Sequence, residues 1–273
     1  MIQTDRRERL IGWYRQALRF VIPAECLGCD RSLGTDPIPL FCRRCWESIT
    51  PMAGASCCRC GQPFVSSAAV SWSPDHQCQG CLERPPAYRR AWTLFPYLPP
   101  LQDAICSFKY RGKVALAKPL ASLMISALPV EIDVDLLMPV PLHPARLRGR
   151  EFNQSLLLAD QLGRHLLKPV SATHLVRVLA TDPQTTLSRH ERLRNLRQAF
   201  EVRNPEAIVG RRILLVDDVF TTGTTLNECA KTLLKAEAAS VCALTLARTI
   251  DTSLVPDRLL ARQAARFCSA PEM

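Results

Sequence analysis

Residues 213–225 read ILLVDDVFTTGTT, and this stretch decides the fold of the chain. It opens with an apolar run typical of a strand that is buried on both faces. The strand ends in two acids, Asp217 and Asp218, and a short loop then leads into the amphipathic pattern of a helix at 226–238. Parallel α/β folds are built from such units and bind ligands at the carboxyl ends of their strands. We therefore expect a ligand site beside the two acids.

The loop after the acids has the composition of a phosphate site. Gly223 lets a ligand approach the backbone closely, and the N-terminus of the following helix favours an anion. The hydroxyl groups that can join them belong to Thr221, Thr222, Thr224 and Thr225. Carboxylates accept hydrogen bonds from vicinal hydroxyls, so the stretch predicts a sugar phosphate, with Mg²⁺ at the acids directly or through water. A Rossmann-like strand that ends in two acids by chance is the alternative, but it gives no reason for the TTGTT loop.

Strand and helix patterns alternate along the rest of this region. Strands are predicted at 92–98, 136–141, 174–179, 212–219 and 240–247, and helices at 99–113, 115–128, 153–166 and 226–238. Because the strands are apolar throughout, the pattern predicts an α/β fold whose parallel sheet carries helices on both faces.

Four Cys-x-x-Cys pairs precede this region. They are Cys26/Cys29, Cys42/Cys45, Cys57/Cys60 and Cys78/Cys81. Two such pairs complete a tetrahedron of sulfurs around Zn²⁺ with no open position, as in structural zinc sites. Sequential pairing gives two zinc ribbons, while other pairings or a single occupied site remain open. The spacing to Cys60 favours Cys57 as the ligand, and Cys58 is the alternative to it.

Disulfides and an iron–sulfur cluster are the competing interpretations of these cysteines. The N-terminal residues lack the pattern of a secretory signal, which argues against exported disulfides and predicts a cytoplasmic protein. An iron–sulfur cluster uses the same ligand type and stays open. No apolar run reaches the roughly 20 residues that a membrane span needs.

Changes in composition and the positions of proline-rich segments divide the chain of 273 residues into four parts. We expect an amphipathic helix within residues 1–22, a double zinc ribbon at 23–88, an α/β domain at 89–250 and a tail at 251–273. The basic N-terminal helix packs on its own domain or lies on a membrane surface. A formal charge of +10 indicates an anionic partner such as phosphate or nucleic acid.

The combination of motifs resembles the ComF family, whose members join a zinc ribbon to a type I phosphoribosyltransferase-like domain. The resemblance covers roughly residues 10–250 and rests on the Cys-x-x-Cys pairs, FKYRGK at 108–113, PVPLHPARLRGREFNQ at 139–154 and VDDVFTTGTT at 216–225. It implies binding of phosphoribosyl pyrophosphate (PRPP) with Mg²⁺, and a role in DNA uptake and natural transformation beside other competence proteins.

The resemblance also implies roles for individual residues. Asp217 and Asp218 are the implied catalytic acids and bind the ribose hydroxyls, while residues 221–225 bind the 5′-phosphate. The loop that holds pyrophosphate is implied to contain Val140, Pro141, Leu142 and His143, followed by Arg146. His143 is either a general acid or base or a plain phosphate ligand, and we favour the plain role.

Two positions depart from the family pattern. The family usually reads Arg-Gly-Phe-Asn-Gln, and Glu151 stands here in place of the glycine. A carboxylate that pointed into a polyphosphate site would repel the ligand, so we expect Glu151 to point outward or to pair with an arginine. Leu179 stands where the flexible loop of the family carries a basic residue.

Two functions are compatible with these features. The first is a phosphoribosyltransferase that acts on an unknown acceptor. The second is a non-catalytic factor that handles single-stranded DNA, with the pocket used as a sensor or not at all. Its candidate contacts are Lys109, Arg111, Arg148, Arg150, Arg192 and Arg197, since single-stranded DNA needs a basic track with stacking aromatics such as Tyr110.

Overall fold

The computed structural model describes residues 25–64, 73, 75–130, 132–179 and 199–250. The predicted N-terminal helix, the predicted tail at 251–273 and two of the candidate DNA contacts, Arg192 and Arg197, lie outside the described residues.

A parallel sheet forms the centre of the described structure. The strands in the described residues are β1 (Arg90–Pro96), β2 (Leu136–Pro139), β3 (Leu175–Arg177), β4 (Phe200–Val202), β5 (Arg212–Phe220) and β6 (Ser240–Arg248). Four of them form a sheet in the order β1-β6-β5-β2, and every neighbouring pair is parallel. The predicted parallel sheet is thereby confirmed, and the strand that ends in the two acids is central in it.

The helices agree with the predicted pattern in most places. They are α1 (Arg43–Glu47), α2 (Gln79–Glu83), α3 (Leu101–Tyr110), α4 (Ala117–Ser126), α5 (Pro144–Arg150), α6 (Gln154–Leu166) and α7 (Thr224–Lys235), with 3₁₀ turns at Val114–Leu116 and Pro205–Ala207. Helix α5 is not among the helices that the sequence predicts. Pro144 stands at its first position, and the His143 side chain accepts a hydrogen bond from the Ala145 N–H, which together start a helix.

Alternate residues of β5 point into two different cores. Leu214 and Val216 pack with the helices α3, α4 and α6, whereas Ile213 and Leu215 pack with α7. Helix α6, which follows β2 and α5 along the chain, therefore covers one face of the sheet, and α7, which follows the neighbouring β5, covers the other. Connections that diverge in this way open a crevice at the carboxyl ends of the two strands, where α/β folds bind ligands.

The predicted strand at 174–179 does not join the parallel sheet. Residues Leu175–Arg177 form β3, which pairs antiparallel with β4 in a separate two-stranded sheet. An apolar run indicates a strand but not its partner. The sequence pattern did not reveal β4, which has only three residues.

The two cysteine modules pack against opposite faces of the main sheet. Cys26, Phe41 and Cys45 belong to the core that contains α3 and α6, while Cys57 and Cys60 belong to the core that contains α7. Tyr88, at the predicted domain boundary, is only 3% exposed within the second core. The modules and the α/β region thus share their cores, and the boundary at residue 88 stays a prediction.

The second module also covers the free edge of β1. The Ala91 N–H donates to the Arg59 carbonyl oxygen at 2.7 Å, and the Met52 N–H donates to the Leu94 carbonyl oxygen at 2.8 Å. An uncovered edge strand offers such groups to other chains and promotes aggregation. The approach is close at Gly61, where an added Cβ would lie 2.9 Å from the Ala91 carbonyl oxygen.

We predict that Gly61→Ala destabilises the protein by roughly 2–4 kcal/mol, because it adds this contact to the strain of a left-handed backbone with φ of 71°. Gly54→Ala is the matched control, since Gly54 has φ of 93° but open space around it. Its expected loss is about 1 kcal/mol. Urea unfolding measures both values, and equal losses would contradict the proposed close contact.

Candidate functional site

The two acids stand at the mouth of the crevice, each with a partner from a different helix. The Ser155 hydroxyl of α6 donates to Oδ1 of Asp217 at 2.8 Å, and the Asp218 N–H donates to the same oxygen at 2.9 Å. The Lys109 ammonium of α3 lies 2.8 Å from Oδ1 of Asp218. Asp218 is buried, with 6% of its surface exposed. The pair is therefore held rigidly at the end of β5.

Burial and like charge act together on Asp217. Loss of water contact and the neighbouring Asp218 carboxylate raise the pKa of Asp217 to about 7, against the opposing effects of Lys109 and Ser155. Burial disfavours the charged form of Lys109, but the two carboxylates outweigh it and raise the pKa of Lys109. The site thus holds a carboxylate that a cation or hydroxyl donor would stabilise.

The TTGTT loop joins the acids to the N-terminus of α7. Gly223 has φ of 72° and precedes the first helical residue without a capping side chain of its own. The Thr224 N–H donates to the Thr222 hydroxyl at a long 3.5 Å, and the N–H groups of the next residues in the first turn can bind an anion. Thr221 and Thr222 are exposed, and the Thr222 and Thr224 hydroxyls lie 2.9 Å apart. Thr225 follows in the first turn and is half-buried.

The loop after β2 lies beside the acids because β2 and β5 are neighbours. The Val140 N–H donates to the Val216 carbonyl oxygen at 2.9 Å, and the Asn153 side chain donates to the Val140 carbonyl oxygen at 3.2 Å. The same side chain accepts from the Ser155 N–H and caps α6. Pro141 and Leu142 continue this loop, and the ring of His143 caps α5.

The candidate basic residues separate into two groups. Arg111, Arg146 and Arg148 are exposed, and the Arg150 guanidinium lies 4.8 Å from the centre of the Tyr110 ring. Lys109 instead turns inward to Asp218. The structure therefore places Lys109 in the crevice and the other four on the surface around α5.

The eight predicted zinc ligands form two clusters in sequential order. Within each cluster the four sulfur atoms lie within 4.8 Å of one another, and the clusters are Cys26/Cys29/Cys42/Cys45 and Cys57/Cys60/Cys78/Cys81. The sulfur atoms of Cys29 and Cys42 are 3.8 Å apart. This spacing fits zinc, since tetrahedral Zn–S bonds of about 2.3 Å place sulfurs about 3.8 Å apart. Cys58 points away, to the Asp75 carbonyl oxygen.

The two clusters are built in the same way. In each, the third cysteine precedes a short helix that carries the fourth, and its N–H donates to the sulfur of the first at 3.3 Å. The repeated geometry indicates two copies of one zinc ribbon.

Comparisons with known proteins agree with this architecture. The Double zinc ribbon domain family matches residues 17–83, and the Phosphoribosyl transferase domain family matches residues 153–262. The DNA utilization protein YhgH of Escherichia coli K12 is 36% identical over 200 residues, which cover 71% of this chain and 84% of that protein. The Competence protein F of Haemophilus influenzae is 34% identical over 231 residues, which cover 82% of this chain and 90% of that protein.

The chain belongs to the ComF family. A further relative, the Competence protein ComFC of Bacillus subtilis, is 29% identical over 245 residues, which cover 82% of this chain and 95% of that protein. A solved structure of glutamine PRPP amidotransferase from B. subtilis has 17% identity and a TM-score of 0.35 over 49% of this chain. The match spans only 26% of that chain's length, and these values are too low to add to the fold assignment.

The departure of this chain from the ComF pattern at Glu151 has a backbone explanation. Glu151 ends α5 with φ of 65°, the left-handed conformation that glycine adopts without strain. Its side chain is exposed, as we expected. The usual glycine thus suits the turn, and glutamate costs backbone strain there. Leu179, the second departure, is 42% exposed next to residues outside the described part.

The sequence analysis did not place three residues beside the acids, although it named one of them, Lys109, as a candidate DNA contact. Lys109 and Ser155 contact the acids but lie 109 and 62 residues away from them along the chain. A local sequence pattern does not reveal contacts between residues so far apart. Thr245 of β6 lies opposite Asp217 in register, and its fully buried hydroxyl has no hydrogen-bond partner among the described residues. No helix in the described ranges is long and apolar enough to cross a bilayer.

We expect two zinc ions per chain by elemental mass spectrometry. Cys29→Ser and Cys78→Ser should each remove one ion, because each breaks a different cluster. Cys58→Ser should retain both, since its sulfur lies outside the clusters. Loss of an ion from Cys58→Ser, or iron in place of zinc, would refute the assignment.

We predict that Asp217→Asn stabilises the protein at pH 8 by roughly 1–3 kcal/mol. The pKa of Asp217 is raised on folding, so its favourable contribution is present below the unfolded pKa and is lost as the pH rises towards about 7. Asparagine resembles the protonated acid and avoids that loss. Urea unfolding between pH 6 and pH 8 should show the gain increasing with pH.

Asp135→Asn is the control with the opposite sign. Hydrogen bonds from Arg212 hold the pKa of Asp135 below its usual range, so its carboxylate form stabilises the native state. This variant should lose stability at pH 8. A destabilised Asp217→Asn would show that the acid pair is not strained.

Proposed function

We propose that the crevice binds PRPP with Mg²⁺ and that the chain is a phosphoribosyltransferase-like protein acting in DNA uptake or nucleic-acid-related metabolism. The observation that carries the proposal is the acid pair directly beside a helix N-terminus that Gly223 leaves uncapped. Neighbouring hydroxyls need acceptors, and a phosphate needs N–H donors. A sugar phosphate supplies both the hydroxyls and the phosphate.

Each part of the ligand has a matching part of the site. Asp217 and Asp218 accept hydrogen bonds from the two ribose hydroxyls, and residues 221–225 surround the 5′-phosphate. The loop at 140–143, with Arg146 after it, takes the pyrophosphate group. Carboxylate and hydroxyl oxygens are the ligands that Mg²⁺ prefers, and the bound ion supplies positive charge to pyrophosphate.

A transfer reaction in this crevice would break the bond between C1 of ribose and the pyrophosphate oxygen and form a bond from C1 to a nucleophilic acceptor. Positive charge develops on the ribose as the bond breaks, and the acids lie where they stabilise it. The Lys109 ammonium lies 2.8 Å from Oδ1 of Asp218 and fixes the position of that carboxyl group. No acceptor pocket is apparent from the described residues.

The biological setting follows from the relatives' names. The matched proteins are called DNA utilization and competence proteins. We place this chain in the same context, in the cytoplasm with other competence proteins as partners. Zinc is structural, since four sulfurs leave no open position in either cluster.

Calorimetry with PRPP and Mg²⁺ tests the proposed ligand. We expect the wild type to bind, and we expect Asp218→Asn to lose at least tenfold in affinity because a hydroxyl acceptor and the partner of Lys109 are removed. Asp160→Asn, at a half-buried position of α6, serves as the control with unchanged affinity. Absence of wild-type binding would exclude the proposed ligand.

A second function has its own support in the surface around α5. Tyr110 is 60% exposed beside Arg150, and Arg111 and Arg148 are exposed nearby. Basic side chains with an accessible aromatic ring match the needs of single-stranded DNA. In this alternative the chain is a non-catalytic DNA-handling factor.

We predict that this surface binds an oligothymidine with an affinity that falls steeply with salt. Tyr110→Ala should weaken binding severalfold, and Arg148→Ala should reduce the salt slope by about one. Fluorescence anisotropy measures both. No binding at low salt would remove this function.

A further inference from the structure

Arg248 is a buried cation that the mechanism above does not use. It ends β6 with 6% of its surface exposed. Its Nη1 donates to the Cys60 carbonyl oxygen at 2.7 Å, and Nε and Nη2 donate to Oε1 of Gln62 at 3.1 and 2.6 Å. All three hydrogen bonds end on the second zinc ribbon, across more than 180 positions of the chain.

The acceptors of these bonds are neutral, so the positive charge of Arg248 needs another partner. A buried charge without an opposite charge is strongly unfavourable. Four thiolates around one Zn²⁺ carry a net charge of −2, and the Cys60 backbone joins one of them directly to Arg248. Loss of the metal would release the turn at Cys57–Cys60, whose Cys60 carbonyl oxygen holds the guanidinium.

The other contact of Arg248 leads to the phosphate loop. Its guanidinium carbon lies 4.3 Å from the centre of the Phe220 ring. The same ring lies directly against Gly223, where an added Cβ would be 2.4 Å from its Cζ. Phe220 is buried, so the ring has little freedom to move. It therefore supports the loop at the residue whose φ of 72° opens the N-terminus of α7.

We propose that Arg248 is a positioning residue that links the second zinc ribbon to the phosphate loop, so that metal in the cluster Cys57/Cys60/Cys78/Cys81 sets the affinity of the crevice for its ligand. This inference rests on the proposed function, since the ligand is a sugar phosphate. The link runs from the Cys60 carbonyl through the guanidinium and the Phe220 ring to Gly223.

Arg248→Met tests the link, with Arg212→Met as the matched control. Arg212 also belongs to the main sheet and is hydrogen-bonded, but its partners are Asp133 and Asp135 at the opposite end of β5. We expect both variants to lose stability. By calorimetry, Arg248→Met should weaken binding of PRPP with Mg²⁺ at least tenfold, and Arg212→Met less than twofold. Equal effects would overturn the proposal.

A double-mutant cycle separates the link from general damage. Gln62→Met removes two of the three hydrogen bonds of Arg248 and leaves every zinc ligand in place. If both residues act through one link, the losses of affinity in Gln62→Met and Arg248→Met are not additive in the double variant. Additive losses would contradict a common route.

The metal itself is tested by comparing one cysteine of each ribbon. Cys78→Ser should weaken PRPP binding, whereas Cys29→Ser, which breaks the first cluster, should leave the affinity within twofold. Coupling is reciprocal, so PRPP should raise the zinc affinity of the second cluster in a chelator competition. No difference between the two variants would overturn the role of the metal.

Hydrogen exchange at residues 223–226 tests the Arg248 link independently of the proposed PRPP ligand. Arg248→Met should speed exchange of these amides, and Arg212→Met should not, whether or not PRPP is present. If the wild type fails to bind PRPP while the loop amides respond in this way, the link stands and the proposed ligand falls. Unchanged exchange would overturn the link.

Discussion

Repulsion between the Asp217 and Asp218 carboxylates is the constraint on which the ligand site depends. Neighbouring acids at the end of a buried strand are unfavourable unless other groups offset their charge. Lys109 reaches Asp218 from α3, and Ser155 reaches Asp217 from α6. The repulsion that remains between the carboxylates lowers the stability of the unliganded protein, as is typical of functional sites. A bound ligand can then supply the missing partners.

The same sheet depends on the zinc ribbons for its edge. Within the described residues β1 pairs with β6 on one side, and the second ribbon accepts and donates hydrogen bonds on the other side. The ribbons also fill both cores next to β1. Metal binding is thus part of the folding of the whole unit, because a ribbon with few large apolar residues needs zinc to hold its shape.

The sequence predicted those features of the fold and site that depend on a few neighbouring residues. Such features are recognisable within a few residues. Examples are the apolar strand before Asp217, the glycine of the phosphate loop and the spacing of Cys57 and Cys60. Contacts between distant segments were not predicted. The sequence indicated that β3 belongs to the parallel sheet, but it pairs antiparallel with β4. It also indicated that Lys109 contacts DNA, but Lys109 contacts Asp218. The short helix α5 was missed because seven residues rich in arginine give little hydrophobic periodicity.

A crystal structure of the full chain with PRPP and Mg²⁺ tests the central claim most directly, because it locates each group of the ligand. We expect the ribose hydroxyls to be hydrogen-bonded to Asp217 and Asp218. The 5′-phosphate should accept hydrogen bonds from the amides that follow Gly223, and pyrophosphate should lie beside the loop at 140–143. A ligand bound elsewhere, with the acids free of it, would contradict the account.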